Sequence, residues 1–128
     1  MQLQVTAIYA SIIVLGLLIL ANMVSANRAR TGISIYAGDD QRLALAIRRH
    51  GNLAENAAVA LLLLALSEMR GMPQWGLHGL GLLLLISRVA HAVGLHPDRV
   101  VAPLRLAGGI GTQLMMLTAA GFLLWSQF

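Results

Sequence analysis

The sequence predicts an all-α membrane protein built as a bundle of four transmembrane helices, and three observations predict it. Apolar residues make up 58 % of the 128 positions and charged residues 11 %, against roughly 45–50 % and about 25 % in a soluble domain. Mean hydropathy is +0.75. The apolar residues fall into four runs, separated by short segments of charge, glycine or proline. So few polar side chains cannot cover a water-soluble globule, and so apolar a chain is not a disordered one. The length accommodates one domain, residues 1–128.

The first span is expected over about 5–26. Residues 1–27 carry no charged side chain, and Val5 to Ala26 is long enough to cross about 30 Å of hydrocarbon as a helix. A signal peptide places basic residues ahead of a shorter apolar core; none precede this run, so it reads as a retained span. Arg28, Arg30, Gly32, Gly38, Asp39 and Asp40 then predict a polar loop.

The second span is expected over about 41–69, and it is amphipathic along its length. Only Ala57 to Ser67 is continuously apolar, while Arg42, Arg48, Arg49, His50, Asn52, Glu55 and Asn56 lie upstream. Such a helix is longer than the membrane core, so its first half must stand outside the hydrocarbon or line a polar cavity walled by protein. Gly71, Met72 and Pro73 predict a tight turn.

A third span follows over about 75–95, with Trp75 as an interfacial anchor and Arg88 and His91 near its end. His96, Pro97 and Asp98 predict the next turn. The fourth span is expected from about Val101 to residue 126, with Arg105 near its start and Trp125 near its far interface.

The charge pattern orients the bundle. All nine basic residues are arginine. Eight of them (Arg28, Arg30, Arg42, Arg48, Arg49, Arg88, Arg99 and Arg105) fall in or beside loops one and three, and only Arg70 lies at the other end. The positive-inside rule puts loops one and three in the cytoplasm and both termini outside, and a bacterial inner membrane is the expected location.

The same pattern excludes several functions. A pI near 11.2 suggests nucleic-acid binding in a soluble protein, but here the arginines sit at the ends of apolar runs and no set of aromatics accompanies them. There is no cysteine, so disulfides, a protein thiolate and cysteine-ligated metal are excluded. No metal site is expected, because His91 and His96 do not share a helical face and no HExxH motif is present. A small multidrug exporter of this length would carry an acid in its first span, and this span has none. His78, alone on an apolar face, reads as a packing or interfacial histidine. Met115 and Met116 read as packing, and Gly76, Gly79, Gly81, Gly108, Gly109 and Gly111 as points of close helix approach.

A charge at membrane depth costs about 2.5–3.5 kcal/mol by insertion scales, so it needs a partner or a purpose. On the second helix Arg48, Asn52 and Glu55 are spaced i, i+4, i+7 and share one stripe. Arg88 and His91 stand one turn apart on the third helix, and Arg105 lies on the fourth with Thr112 near the same face. Two readings follow. These residues hold the bundle together, or they converge on a basic cavity whose surplus charge is met by an anionic ligand. The second accounts better for the excess of arginine over the single glutamate. A polar stripe facing lipid is costly, so packing of second helices around a common axis, which buries it, is also expected.

The segment Arg48-Arg49-His50-Gly51-Asn52-Leu53-Ala54-Glu55 resembles the second-helix signature of the MAPEG family, the membrane-associated proteins in eicosanoid and glutathione metabolism. Arg88-Val89-Ala90-His91 is similar to that family's third-helix Arg-x-x-His. Ala102-Pro103-Leu104-Arg105, with Gln113 eight residues on, is similar to the start of its fourth helix. The resemblance covers the whole chain and implies a MAPEG-like four-helix subunit of a homotrimer, with glutathione between subunits near the cytoplasmic side. It implies that Arg48, Arg88 and Arg105 hold the carboxylates or the thiolate, that Glu55 meets the ammonium group, and that Asn52, His91 and Gln113 hydrogen-bond the peptide. Arg105 is then the catalytic candidate, and a lipophilic electrophile or hydroperoxide dissolved among the membrane lipids is the second substrate. Gly51 stands where some members have arginine, and Leu95, Leu106 and Gly109 where eicosanoid-forming members have tyrosine or serine. The resemblance therefore implies a general glutathione transferase or peroxidase, or a non-catalytic member binding a lipid or a partner, rather than an eicosanoid synthase.

Overall fold

A computed structural model describes residues 3–99 and 102–128. It consists of four helices, α1 (Gln4–Thr31), α2 (Gln41–Met69), α3 (Gln74–Gly94) and α4 (Pro103–Trp125). All four are long and apolar enough to cross a membrane. They run up and down. One end of the bundle carries the start of α1, the α2–α3 turn and the end of α4, with Trp75 and Trp125 both exposed there. The other end carries the two arginine-rich loops.

Each helix boundary has a local cause. Helix α1 continues five residues past the expected span, so Arg28 and Arg30 lie in its last turn rather than in a loop. Arginine is a good helix former, and positive charge in a last turn complements the helix dipole. Gly32 ends the helix in the left-handed conformation, its amide donating to the Arg28 carbonyl. Asp40 caps α2 by accepting from the Leu43 amide at 2.7 Å, and it also pairs with Arg30 at 2.8 Å. The Arg30 guanidinium, and then the Leu43 amide, hold the Asp40 carboxyl below the usual carboxylate range. Gly71, at φ +79°, makes the α2–α3 turn, and Pro103 sits in the first turn of α4, where its missing N–H costs no helix bond. The expected start of the fourth span at Val101 lies outside the described residues.

The core is a seam of Val5, Tyr9 and Ile13 from α1, Ala57, Ala60 and Leu64 from α2, Leu77, Leu80 and Leu84 from α3, and Met115 and Ala119 from α4. Met116 packs against it, which bears out the packing role of the methionine pair. Most of the remaining large apolar side chains point outward, as lipid-facing helices require.

Helices α3 and α4 make the most extensive pairing, and small residues make it possible. A Cβ on Gly108 would stand 2.5 Å from the His91 amide nitrogen and the Ser87 carbonyl oxygen, one on Gly94 would meet the Leu104–Arg105 backbone, and one on Gly111 would meet the Ser87 hydroxyl. Gly81 is covered by the Tyr9 ring. Gly79 and Gly109 have open space beside them, and Gly76 has only ordinary contact with Met72. Those three glycines are not points of close approach, and Gly94, not singled out in the sequence, is one.

The termini end is latched by polar groups. Glu68, at the end of α2, accepts from the Val5 amide at 2.9 Å, the Thr6 amide at 2.8 Å and the Thr6 hydroxyl at 2.6 Å. It satisfies amides at the start of α1 that have no helical partner. The Tyr9 hydroxyl lies 3.0 Å from His78 Nδ1 and 3.1 Å from the His78 carbonyl oxygen. His78 is thus a packing histidine, and Tyr9 is its partner. Arg70 donates to Gln127 Oε1 at 2.9 Å.

Candidate functional site

The expected polar residues gather at the arginine-rich end, at two levels. The deeper level is a bonded pair. Arg88, 6 % exposed, is turned into the bundle. Its Nη1 donates to Asn52 Oδ1 at 2.8 Å and its Nη2 to the Gly108 carbonyl at 3.0 Å. The Thr112 hydroxyl donates to the same carbonyl at 2.9 Å, so one oxygen of α4 collects bonds from α3 and α4 while Asn52 ties in α2. Arg88 Nε is buried without a partner.

The outer level is open. Arg48 and Arg105 line one cleft of about 380 Å³ with Gln41, Ala44, Leu45, Leu95, His96 and Pro97. Arg105 also lines an adjoining cleft of about 310 Å³ with His91, Ala102, Leu106, Gly109, Ile110 and Gln113. Arg105 is therefore the wall that the two clefts share. Glu55 is placed by its ion pair with Arg48, at 3.7 Å with both side chains 61 % exposed. So long and exposed a pair is worth little by itself, and it leaves both groups available to other partners.

The i, i+4, i+7 stripe on α2 thus divides. Arg48 and Glu55 remain at the surface, and Asn52 is drawn inward by Arg88. Arg48, His91, Arg105 and Gln113 open onto the clefts. Arg88 and Asn52 stand beneath them and occupy one another. Within one chain, the residues expected to converge on a basic cavity line two clefts above a buried hydrogen-bonded floor. Arg49, absent from the expected site, reaches from α2 to the Leu95 carbonyl at 3.4 Å and closes the end of α3 beside the larger cleft. Its position next to Arg48 gives no sign of this, because helix spacing alone does not say which neighbour a side chain meets.

Guanidinium groups on two helices around one opening are chemically able to contact carboxylates in planar two-pronged fashion. Leu45, Leu95, Leu106 and Ile110 add apolar wall beside them. The clefts can therefore take an anionic head with an apolar portion beside it.

The profile of the MAPEG family matches residues 6–125. The chain is 34 % identical to Inner membrane protein YecN of Escherichia coli, in each of two strains, over 93 residues that cover 73 % of this chain and 71 % of the relative. No solved structure matches significantly. The matched region takes in all four helices, both clefts and the Arg88–Asn52 pair: the chain is an integral membrane protein that belongs to the MAPEG family.

Proposed function

We propose that the protein is a glutathione-dependent transferase or peroxidase acting on lipophilic electrophiles or hydroperoxides in the membrane. The observation that carries this reading is Arg105 standing between two clefts, with Arg48 facing it in one and His91 and Gln113 beside it in the other. Glutathione is a tripeptide with two carboxylates, one ammonium group and a thiol. An exposed Arg48, a half-buried Arg105, one exposed glutamate and amide or imidazole donors fit that set of charges. Arg48 and Arg105 would hold carboxylate or thiolate, Glu55 the ammonium group, and His91 and Gln113 the peptide groups. Arg88 acts from beneath, as buried positive charge, and Asn52 holds it in place.

Bound glutathione supplies the thiol that a cysteine-free chain lacks. The protein's part is positive charge beside the sulfur. A free thiol has a pKa of about 8.5, and each unit of depression corresponds to about 1.4 kcal/mol of preference for the thiolate. Arg105, which lines both clefts, would provide it. Apolar walls and open lipid-facing grooves give a membrane-dissolved substrate its approach.

The assembly belongs to the same proposal. A homotrimer covers the exposed half of the α2 stripe and places the clefts between subunits; crosslinking in bilayers that yields only monomers and dimers overturns it. Eight arginines against one put the two arginine-rich loops in the cytoplasm and both termini outside, in the inner membrane as for the YecN relatives. A cysteine introduced at position 34 or 98 is then reached by an impermeant label only after the inner face is opened.

The experiment that tests the function is glutathione binding to the purified protein, followed by conjugation of a generic electrophile. Arg48→Ala is expected to weaken binding by about 1.5–3 kcal/mol, the scale of charged hydrogen bonds. Arg105→Ala is expected to lower turnover more than affinity, and Glu55→Gln to weaken binding in an intact assembly. Substitutions that lower stability alike without changing glutathione affinity overturn the reading. The alternative is a non-catalytic MAPEG-fold protein that binds a lipid or a partner, and Leu106 and Gly109 favour it, because they put no hydroxyl beside Arg105. Binding of glutathione without turnover on any electrophile or hydroperoxide selects the alternative.

A further inference from the structure

The loop between α1 and α2, residues 32–40, has properties that the clefts do not use. Its tip is apolar where the sequence predicts a polar loop: Ile35 is 69 % and Tyr36 84 % exposed. Tyr36 also holds a φ of +59°, a conformation that a residue with a Cβ adopts only when its surroundings impose it. Those surroundings are in place. Arg28 Nη1 donates to the carbonyls of Ile33 at 3.1 Å and Tyr36 at 3.2 Å, Thr31 Oγ1 accepts from the Ile33 amide at 3.3 Å, and the Arg30–Asp40 pair closes the base. These bonds brace the loop around two side chains that it presents outward.

Depth says what they are presented to. Val5 to Ala26 rises roughly 33 Å at 1.5 Å per residue, enough to consume the hydrocarbon thickness, and beyond it the headgroup layer adds several ångströms on each side. Arg28 stands half a turn past Ala26. Its guanidinium bonds the Ile33 and Tyr36 carbonyls, which ties the loop to the last turn of α1, beside the headgroup layer. Tyrosine, with an apolar ring and a polar tip, prefers this layer. Charge agrees: Arg42, in the first turn of α2, is exposed at this same end, where eight of the nine arginines lie, and positive side chains near the surface are drawn to acidic headgroups.

We infer that the 32–40 loop is a membrane-interface anchor that seats Ile35 and Tyr36 in the phospholipid headgroup layer, with Arg42 against a lipid phosphate. This is independent of whether the clefts bind glutathione. Because the chain has no cysteine, the full-length variants Ile35→Cys and Tyr36→Cys each accept a single nitroxide, and each leaves the other tip residue intact. Ile19→Cys, in the middle of α1, and Asp98→Cys, in the other loop at this end, serve as hydrocarbon and water references. In vesicles of phosphatidylethanolamine and phosphatidylglycerol, labels at 35 and 36 are expected to lie between the references. Their collisions with an aqueous nickel chelate should be severalfold fewer than at position 98. Adding Arg42→Gln should shift the label at 36 toward the water value. Chelate access at 35 and 36 equal to that at 98 overturns the inference. So does protection of both labels from oxygen and chelate alike, which marks contact with a second copy of the chain rather than with lipid.

Discussion

Arg88 Nη1 donates to Asn52 Oδ1 at 2.8 Å across thirty-six residues of chain, and this bond converts two polar side chains of membrane-spanning helices into a single cross-brace between α3 and α2. Neither group is tolerable alone in a bundle interior. Together with the Gly108 carbonyl they bind three helices at one level, directly beneath the clefts.

The first prediction follows from that brace. Arg88→Ala strands Asn52 and removes one of the two side-chain bonds to the Gly108 carbonyl, and Asn52→Ala strands one arm of the guanidinium. Each is expected to lower stability by about 1–3 kcal/mol. Because the two act on one bond, the double variant should cost less than the sum of the singles. Thermal unfolding in detergent measures this, and strict additivity would show that the bond contributes nothing.

The α3–α4 crossing makes a second, paired prediction. Gly108→Ala drives a Cβ into the backbone of α3 and is expected to destabilise by about 1–3 kcal/mol, the usual cost of overpacking. Gly109→Ala meets open space and should be neutral, or stabilising by up to about 1 kcal/mol through helix propensity. Equal effects at the two positions would contradict the crossing geometry.

Glu68 yields a third. It accepts three bonds from Val5 and Thr6, so Glu68→Ala leaves the start of α1 uncapped. The expected loss is about 1–2 kcal/mol, concentrated there. Hydrogen exchange should accelerate at the amides of residues 5 and 6 and stay unchanged in the middle of α3. A uniform acceleration would mean that Glu68 supports the whole bundle instead.

Asp40 provides the pH prediction. Arg30 and the Leu43 amide favour its charged form in the folded protein, so its folded pKa lies below its unfolded one. Its contribution is then fully present above the unfolded value of about 3.9 and is lost as pH falls through the lower folded value. Asp40→Asn removes that acid-side contribution. The variant's stability should vary less than the parent's below about pH 4, and the two profiles should run parallel near neutrality. Identical acid limbs would show that the Arg30 pair carries no energy.

Much of this architecture is legible in the amino-acid sequence. Four spans, their order, the short loops, the His78 packing role and the gathering of polar residues at one end all follow from where the apolar runs begin and end. The end of α1 is not legible. Charge at Arg28 and Arg30 reads as loop, yet a helix outside the hydrocarbon tolerates arginine, and only Gly32 stops it. Glu68 and Tyr9 are also silent in the sequence. A lone acid at a helix end and a lone tyrosine in an apolar run acquire their roles from partners more than sixty residues away.

Four membrane crossings follow from the order of residues alone, because the cost of placing backbone and charge in hydrocarbon applies to each segment separately and can be read one segment at a time. The division of the polar residues between floor and cleft is instead set by how the helices pack. Helical periodicity puts Arg48, Asn52 and Glu55 on one face. Which of them turns inward depends on the approach of α3 and α4, whose closeness at Gly94, Gly108 and Gly111 brings a carbonyl of one helix within reach of the arginine of the other. That distance is a property of packing between helices, and no spacing within one helix encodes it.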